Sequence, residues 1–193
     1  MKYFCFDIET CPIDREDYLK RDEAERKKLL NPIDSSIVAI GVKETGKSAS
    51  IIQGKSEKEM LEKFWGEFAA FRKQNALSGK LVGFNVKDFD LPILVTRSFI
   101  NEVKIVPFTI KEVIDLRESI SAFTYRHTRG KMKEFAQLIG IETIEGFDGE
   151  NVAEAHWRGE HKKIATYLEK DLEIIEKMNE RIVRLGIDKI QKW

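Results

Sequence analysis

The segment KYFCFDIE (residues 2–9) decides the fold, because it predicts a buried strand that ends in two acids. It contains three aromatic residues and neither glycine nor proline, a composition that favours a strand. Side chains alternate between the faces of a strand, so Asp7 and Glu9 share one face, about 6.6 Å apart along the chain. The other face carries Phe4, Phe6 and Ile8. A strand end that emerges into water would also explain the two acids.

The rest of the sequence places this strand in an α/β fold. Two strand-like segments, residues 36–43 and 48–53, predict a hairpin that turns near Gly46. Later strands are predicted over residues 80–84 and within 105–116. Helices are predicted over residues 56–75, 91–100, 132–139 and about 159–185. The order of these elements indicates one α/β domain over residues 1–193, with a mixed rather than a purely parallel sheet.

Length and charge narrow the class of protein. The chain has 193 residues, of which 33 are basic and 33 acidic, so it has no global positive field. A protein that coats nucleic acid by charge alone is excluded, whereas one that holds a few nucleotides through metal ions is not. No apolar run approaches the roughly 18 residues of a membrane span, and two cysteines are too few for a secreted disulfide framework. We therefore expect a soluble, cytoplasmic protein without membrane contacts.

A charged excursion, residues 12–34, separates the first strand from the hairpin. Within it, 12 of the 15 residues from 14 to 28 are charged, and the two signs are mixed. Acid–base pairs at helical spacing, such as Glu23 with Lys27, predict a helix that is exposed to solvent. Because the segment has few apolar residues, we expect it to dock only lightly on the core.

The last predicted helix contains an acid in the middle of its apolar face. With about 100° of rotation per residue, the nearest apolar residues fall within about 60° of Asp171. They are Ile164, Leu168, Ile174, Ile175, Met178 and Ile182. A lone charge on such a face needs a buried basic partner or a metal ion, and both are open at this point. Tyr167 lies one turn earlier on the same face, so its hydroxyl reaches the same partner.

A fourth acid lies in the segment GFNVKDFDLPIL (residues 83–94), which follows a predicted strand. Asp90 precedes a leucine and a proline, a position that suits a helix N-cap. The same segment brings Asn85, Asp88 and Asp90 to the carboxyl end of a strand, where open α/β sheets usually bind ligands. Asp88 is therefore a rival ligand. We favour Asp90, because the flanking aromatic residue and proline restrict its backbone.

Four carboxylates from three separate segments predict a metal site. Oxygen ligands alone suit hard cations such as Mg²⁺ or Mn²⁺ rather than zinc. Two such ions, about 3.5–4 Å apart, activate a water molecule and stabilise the leaving oxygen in phosphoryl displacement. We therefore expect two Mg²⁺ or Mn²⁺ ions, held by Asp7, Glu9, Asp90 and Asp171.

Three motifs, in this order along the chain, resemble those of the DEDD 3′–5′ exonucleases. They are Asp-Ile-Glu (residues 7–9), Asn-x-x-x-Phe-Asp-x-Pro (residues 85–92) and Tyr-x-x-x-Asp (residues 167–171). The histidine subtype has its histidine five residues before the last acid, where this chain has Thr166, so the tyrosine subtype is the better match. Within it, the chain is most similar to the predicted exonucleases related to the proofreading domain of family-B DNA polymerases.

This resemblance implies a fold, a reaction and a role for each acid. The fold is ribonuclease-H-like, a mixed five-stranded sheet flanked by helices, and the reaction hydrolyses the terminal phosphodiester at a nucleic-acid 3′ end. Asp7 would bridge both ions, and Glu9 and Asp171 would hold the ion that carries the attacking water. Asp90 would hold the other ion. Tyr167 would orient the nucleophile.

Four further residues are candidate substrate contacts. The resemblance implies that Thr10 and Asn85 support the phosphate or the terminal nucleotide. Arg126 and Arg129 belong to a basic run near two aromatic residues, a composition that suits phosphate contacts and base stacking. A solvated loop before a helix would explain the same run. We expect a single-stranded 3′ end, DNA more than RNA, as substrate and nucleoside monophosphates as products; no feature identifies a protein partner.

Other functions fit parts of the sequence. GVKETGKS (residues 41–48) matches the Walker A pattern, in which Gly46, Lys47 and Ser48 would hold a nucleotide phosphate. That loop needs a helix directly after it, whereas a strand is predicted here. A phosphatase of the haloacid dehalogenase type needs aspartate at the position of Glu9. A catalytically weak nucleic-acid-binding adaptor on the same fold is the remaining alternative; such adaptors usually lose metal ligands, and this chain keeps all four.

Overall fold

A computed structural model of the chain describes residues 1–75, 79–124 and 130–190. The strands in these ranges are β1 (Lys2–Pro12), β2 (Ser35–Glu44), β3 (Ser50–Ile52), β4 (Gly79–Gly83) and β5 (Val113–Asp115). They form one sheet in the order β3-β2-β1-β4-β5. β1 pairs antiparallel with β2 and parallel with β4, so the sheet is mixed. The mixed five-stranded sheet expected from the sequence is confirmed.

Helices cover both faces of this sheet. In the described ranges they are α1 (Arg15–Lys20), α2 (Glu23–Lys28), α3 (Glu57–Asn75), α4 (Asp90–Ile100), α5 (Leu116–Ile120), α6 (Met132–Leu138), α7 (Gly149–Trp157) and α8 (His161–Arg184). Helices α3 and α4 pack against one face, and α7 and α8 pack against the other. Short 3-10 turns precede β5, at Ile110–Glu112, and follow α8, at Ile187–Lys189.

β1 lies at the centre of the sheet, between two apolar cores. On one face, the ring centroid of Phe4 lies 5.3 Å from that of Phe71 in α3. On the other face, Cys5 joins the core beneath α8. Alternation along the strand therefore directs Asp7 and Glu9 toward α8, the helix whose sequence contains the buried acid.

The charged excursion folds as two short helices instead of one. Asp22 begins the second helix, α2, because its side chain accepts the backbone N–H of Glu25 at 2.9 Å. Most residues of the excursion are exposed, but Tyr18 and Leu29 are buried. The Tyr18 ring packs edge-on against Trp157 of α7, with 5.1 Å between the ring centroids. The excursion therefore docks more firmly than its composition predicts, through a few well-placed apolar side chains.

The Walker-like segment is the turn of a β-hairpin, as expected. The backbone N–H of Lys47 donates to the carbonyl of Glu44 at 3.0 Å, and the Lys47 ammonium pairs with the Glu44 carboxylate at 2.8 Å. Gly46 has a φ of 80°, which glycine adopts without strain. β3 begins at Ser50, so the helix N-terminus that a P-loop needs does not follow this turn.

The strand predicted within residues 105–116 is β5 (Val113–Asp115). Residues 105–109 lie outside it, and the carbonyl of Pro107 accepts the side chain of Arg72 at 2.7 Å. Two helices, α5 and α7, were not predicted. Asp148 caps α7 by accepting the backbone N–H of Glu150 at 3.0 Å.

Across the described parts of the chain, the structure contains no helix with the length and apolar character that a membrane crossing requires.

Candidate active site

Two acids of β1, which the structure extends past them to Pro12, meet a third acid from a distant part of the sequence. One carboxylate oxygen from each of Asp7, Glu9 and Asp171 lies within 4.8 Å of the other two. The first two side chains extend from β1, and the third extends from α8. Glu9 is 7% exposed and Asp171 is 3% exposed, while Asp7 is half-buried. Such a set of oxygen donors fits a hard divalent cation rather than zinc.

A glycine on the neighbouring strand allows α8 to approach these acids. Gly41 of β2 is the cross-strand partner of Asp7. A Cβ atom at this position would lie 2.7 Å from Leu168 Cγ and 2.9 Å from Leu172 Cδ1, both on α8. Because a larger residue would push the helix outward, Gly41 sets the distance across which Asp171 reaches the strand.

The fourth acid reaches the same place from α4. Asp90 is the first residue of that helix and Phe89 is its N-cap, so the N-cap alternative for Asp90 is wrong. Asp90 Oδ1 accepts the backbone N–H of Ile8 at 3.1 Å, and its carboxyl group also hydrogen-bonds that of Asp7. Asp90 is 2% exposed, whereas the rival Asp88 is exposed to solvent. The structure therefore brings Asp90, and not Asp88, to the acids of β1.

Burial and mutual repulsion make these four carboxyl groups hard to ionise. Desolvation raises the pKa of Asp90 to about 7 and that of Asp171 to about 6. Burial, followed by the charges of the neighbouring acids, raises the pKa of Asp7 and of Glu9 well above the usual range. Without a cation the site therefore retains protons near neutral pH. A divalent ion would displace them, because it compensates the repulsion between the ionised groups.

One of the candidate ligand atoms has no partner in the described part of the protein. Asp171 Oδ1 is buried and accepts no hydrogen bond from any residue in that part. A buried polar atom without a partner typically costs about 1–3 kcal/mol, and more when the group is charged. Among the described residues, no arginine or lysine donates to this oxygen; a buried basic partner was the alternative to a metal ion.

Tyr167 and Lys133 complete the surroundings of Asp171. The hydrogen bond from the Tyr167 hydroxyl partly offsets the effect of burial on the pKa of Asp171. Lys133 of α6 lies with its Nζ 4.8 Å from the ring centroid of Tyr167 and donates to the carbonyl of Phe147. Its positive charge opposes the rise in the pKa of both Glu9 and Asp171. No spacing rule could have found this lysine, because its contact with α8 joins segments 34 residues apart.

A cavity of about 260 Å³ opens beside the acids. Its polar lining includes Glu9, Thr10, Lys131, Lys133 and Tyr167, and its apolar lining includes Leu30, Phe89 and Met132. Thr10 therefore lies at the candidate site, where the sequence analysis expects it. The cavity is also lined by one side chain from the charged excursion, Leu30, which no motif had indicated.

Asn85, another predicted substrate contact, is not part of this lining. Asn85 follows β4 in the left-handed backbone region, with φ 62°, and contacts the start of α5 instead. Arg126 and Arg129 lie outside the described residues. Lys131, from the same basic run, does reach the cavity.

The sequence matches the model of one protein family over residues 26–112 and 107–174. That family is described as a predicted 3′–5′ exonuclease related to the exonuclease domain of PolB. The matched region spans more than half of the chain and includes Asp90, Tyr167 and Asp171, whereas Asp7 and Glu9 precede it. None of the curated proteins matches the sequence.

The fold is similar to part of a solved DNA polymerase. The family B DNA polymerase from the hyperthermophilic archaeon Pyrobaculum calidifontis aligns with 97% of this chain at a TM-score of 0.70 and 15% identity. The chain spans 25% of the length of that polymerase. At this identity the similarity shows the fold alone, and it confirms the expected ribonuclease-H-like architecture. The family match shows more: the chain belongs to the family of predicted 3′–5′ exonucleases related to the exonuclease domain of PolB.

Proposed function

We propose that this protein is a divalent-metal-dependent 3′–5′ exonuclease of the tyrosine subtype. It removes nucleoside monophosphates from single-stranded ends, DNA in preference to RNA. The observation that carries this proposal is the group of Asp7, Glu9 and Asp171, whose oxygens lie within 4.8 Å of one another. One of these acids, Asp171, has a buried oxygen without a partner in the described ranges. Membership of an exonuclease family supports the reaction and its direction along the strand.

The donor set fits two Mg²⁺ or Mn²⁺ ions. Asp7 hydrogen-bonds Asp90 and lies within 4.8 Å of Glu9 and Asp171, so it is the acid suited to bridge two ions. Glu9 and Asp171 would complete the ligands of one ion, and Asp90 would contribute to the other. When bound, such ions lower the pKa of a water molecule and stabilise charge on the leaving oxygen.

Tyr167 orients the attacking water in this proposal. Burial and the neighbouring acids raise the pKa of Tyr167, so its hydroxyl stays protonated at neutral pH and acts as a hydrogen-bond donor rather than as a base. Its position one turn before Asp171 places the hydroxyl beside that carboxylate. The ammonium group of Lys133 adds positive charge on the same side, where negative charge develops during hydrolysis.

The cavity beside the acids is suited to the end of a single strand. Leu30, Phe89 and Met132 offer apolar surface against which a terminal base can pack. Lys133 supplies local positive charge for phosphate, whereas Lys131 pairs with Glu150 of the same lining at 3.4 Å. The protein would therefore bind the strand through a few local contacts and not through a net positive charge.

The test is digestion of matched DNA and RNA single strands, each labelled separately at the 5′ or the 3′ end, with Mn²⁺ or with EDTA. We expect the 3′ label to be released first as a nucleoside monophosphate, and the 5′ label to remain on a shortening strand. EDTA should stop the reaction. Asp7→Asn, which keeps the size of the side chain, should stop it while the protein stays folded.

Three results would contradict this function. Strands that are bound but never shortened would indicate the adaptor. Release of the 5′ label first would reverse the direction of digestion. ATP hydrolysis that depends on Lys47, tested by Lys47→Ala, would favour the nucleotide-loop alternative.

A further inference from the structure

A buried carboxylate outside the candidate metal site organises the loop between β4 and α4. Asp115 ends β5 and is 1% exposed. Its Oδ1 accepts the backbone N–H groups of Asn85 and Arg117, each at 2.9 Å, and its Oδ2 accepts that of Lys87 at 3.1 Å. These bonds tie the loop to the start of α5. The same loop leads directly into Asp90.

Arg117 fixes the orientation of the side chain of Asn85. Its Nη1 donates to Asn85 Oδ1 at 3.0 Å. A carboxamide has an acceptor oxygen at one end and a donor NH₂ group at the other, whereas a guanidinium only donates. The oxygen of Asn85 must therefore face Arg117, and its NH₂ group must point away from it.

Other groups of this loop are less suited to contact a phosphate. Lys87 already pairs with Glu118 at 2.5 Å, so its charge is compensated. Asp88 is exposed and negative, and it would repel a phosphate. No hydrogen bond joins the neutral NH₂ group of Asn85 to another described residue, so a strand can approach it as a donor without repulsion.

We propose that Arg117 is a positioning residue, which turns the carboxamide of Asn85 so that its NH₂ group donates to a phosphate oxygen of the substrate strand. This inference rests on the proposed exonuclease function and deepens it. Without Arg117 the carboxamide can rotate and present its oxygen to the strand, where two acceptors repel each other. In this proposal Arg117 acts on the strand through Asn85.

The test is a double-mutant cycle on the single-stranded DNA exonuclease reaction with Mn²⁺. Asn85→Gly removes the carboxamide and tolerates the positive φ, so it avoids the strain of alanine at this position. We expect it to raise KM about tenfold with kcat nearly unchanged, the scale of a hydrogen bond to a charged group. Arg117→Ala should raise KM by a similar or smaller factor. The double variant should be no worse than Asn85→Gly alone, because both changes remove one contact.

Two further variants separate orientation from folding. Asn85→Asp keeps the bond to Arg117, as an ion pair, but presents only acceptors, so its KM should rise at least as much as that of the glycine variant. Arg117→Lys keeps one donor and should recover part of the lost affinity. Arg72→Ala is the control, because Arg72 also holds a loop carbonyl, that of Pro107, but on the opposite face of the sheet. It should leave KM unchanged.

The outcomes separate this inference from the function on which it rests. KM effects that multiply in the double variant, or an Asn85→Asp variant with normal KM, would overturn the orienting role alone. A wild-type protein that shortens no strand would overturn the proposed function, and the orienting role with it.

Discussion

Two buried aspartates at the same end of the sheet show opposite electrostatic arrangements. Asp115 is 1% exposed, and its carboxylate accepts backbone N–H groups from Asn85, Lys87, Arg117 and Glu118. Asp171 is 3% exposed, yet its Oδ1 has no partner in the described ranges, and two further acids lie beside it. The two residues are equally buried and differ in how their charge is compensated. Burial of an acid alone therefore does not indicate a metal site; the unpartnered oxygen of Asp171 is what supports the proposed one.

The largest expected effect comes from changing each of these aspartates to asparagine. Asp171→Asn should lower the rate of nucleotide release about 10³-fold or more, the scale of charge stabilisation by a bound metal ion. Asp115→Asn should destabilise the protein by about 1–3 kcal/mol, because it turns an NH₂ group toward backbone N–H donors. Its activity per folded molecule should fall far less. Single-turnover rates and thermal unfolding measure both quantities.

The contrast between Asp115 and Asp171 would be wrong if Asp115→Asn and Asp171→Asn had the same effect. Equal losses of activity at equal stability would mean that Asp115 also holds a metal ion. A full loss of folding in Asp171→Asn would mean that this carboxylate, like Asp115, is a structural group.

The second largest effect on activity is expected from Gly41→Ala, which changes the distance between α8 and the sheet. Gly41→Ala places a Cβ atom 2.7 Å from Leu168 Cγ, so α8 must move away from the sheet. A displacement of about 1 Å at a catalytic group can cost on the order of 10²-fold in rate. Gly66→Ala in α3 is the matched control, since nothing lies within 4 Å of its new Cβ. The control should keep full activity and gain up to about 1 kcal/mol of stability.

Tyr167→Phe should have a smaller effect, which falls on turnover. Removal of the hydroxyl takes away one hydrogen bond to the attacking water, and we expect kcat to fall about tenfold. Affinity for Mn²⁺, measured by titration, should change little, because the carboxylates remain. Unchanged kcat would show that Tyr167 is only a packing residue of α8.

The smallest expected effect is on stability against pH in the absence of metal. The pKa of Asp90 is about 7 and that of Asp171 about 6 in the folded state, above the roughly 3.9 of an unfolded aspartate. The folded state then binds more protons than the unfolded chain, so stability falls as the pH rises from about 4 to 7. With EDTA, Tm should drop by several degrees over that range, and Mn²⁺ should reverse the drop at pH 8.

A variant sharpens the pH experiment. Asp171→Asn removes one of the groups whose pKa is raised, so its Tm should depend less on pH than that of the wild type. Asp88→Asn, at the exposed rival position, should retain the wild-type slope. A wild-type Tm that rises with pH would contradict the raised pKa values of Asp90 and Asp171.

Much of this arrangement could be predicted because it depends on short-range periodicity. Alternation along β1 placed Asp7 and Glu9 on one face, and helical spacing placed Asp171 in an apolar stripe. The choice of Asp90 over Asp88 also came from local backbone restriction, and the structure agrees in the burial of the two residues. Their roles as metal ligands stay predictions that the variants above test.

What could not be predicted depends on contacts between distant segments. Lys133 approaches the Tyr167 ring only because α6 packs beside α8. Tyr18 is buried only because α7, a helix that apolar spacing had not indicated, offers it Trp157. The role of Asp115 likewise emerges only when the loop after β4 folds across the end of β5. A pattern of residues within a short stretch of sequence cannot predict contacts between segments that lie far apart along the chain.

The position of β1 has a consequence for the way in which the protein loses activity on heating. β1 pairs with β2 over residues 4–12 and with β4 over residues 2–5, and the segment around Asp7 is covered by helices on both faces. The backbone N–H of Ile8 beside Asp7 is held by Asp90. Local fraying at an edge such as β3 leaves that segment intact, so its backbone amides should exchange with solvent deuterium only through global opening. The geometry of the acids should accordingly persist up to the cooperative melting transition, without an earlier inactive but folded state.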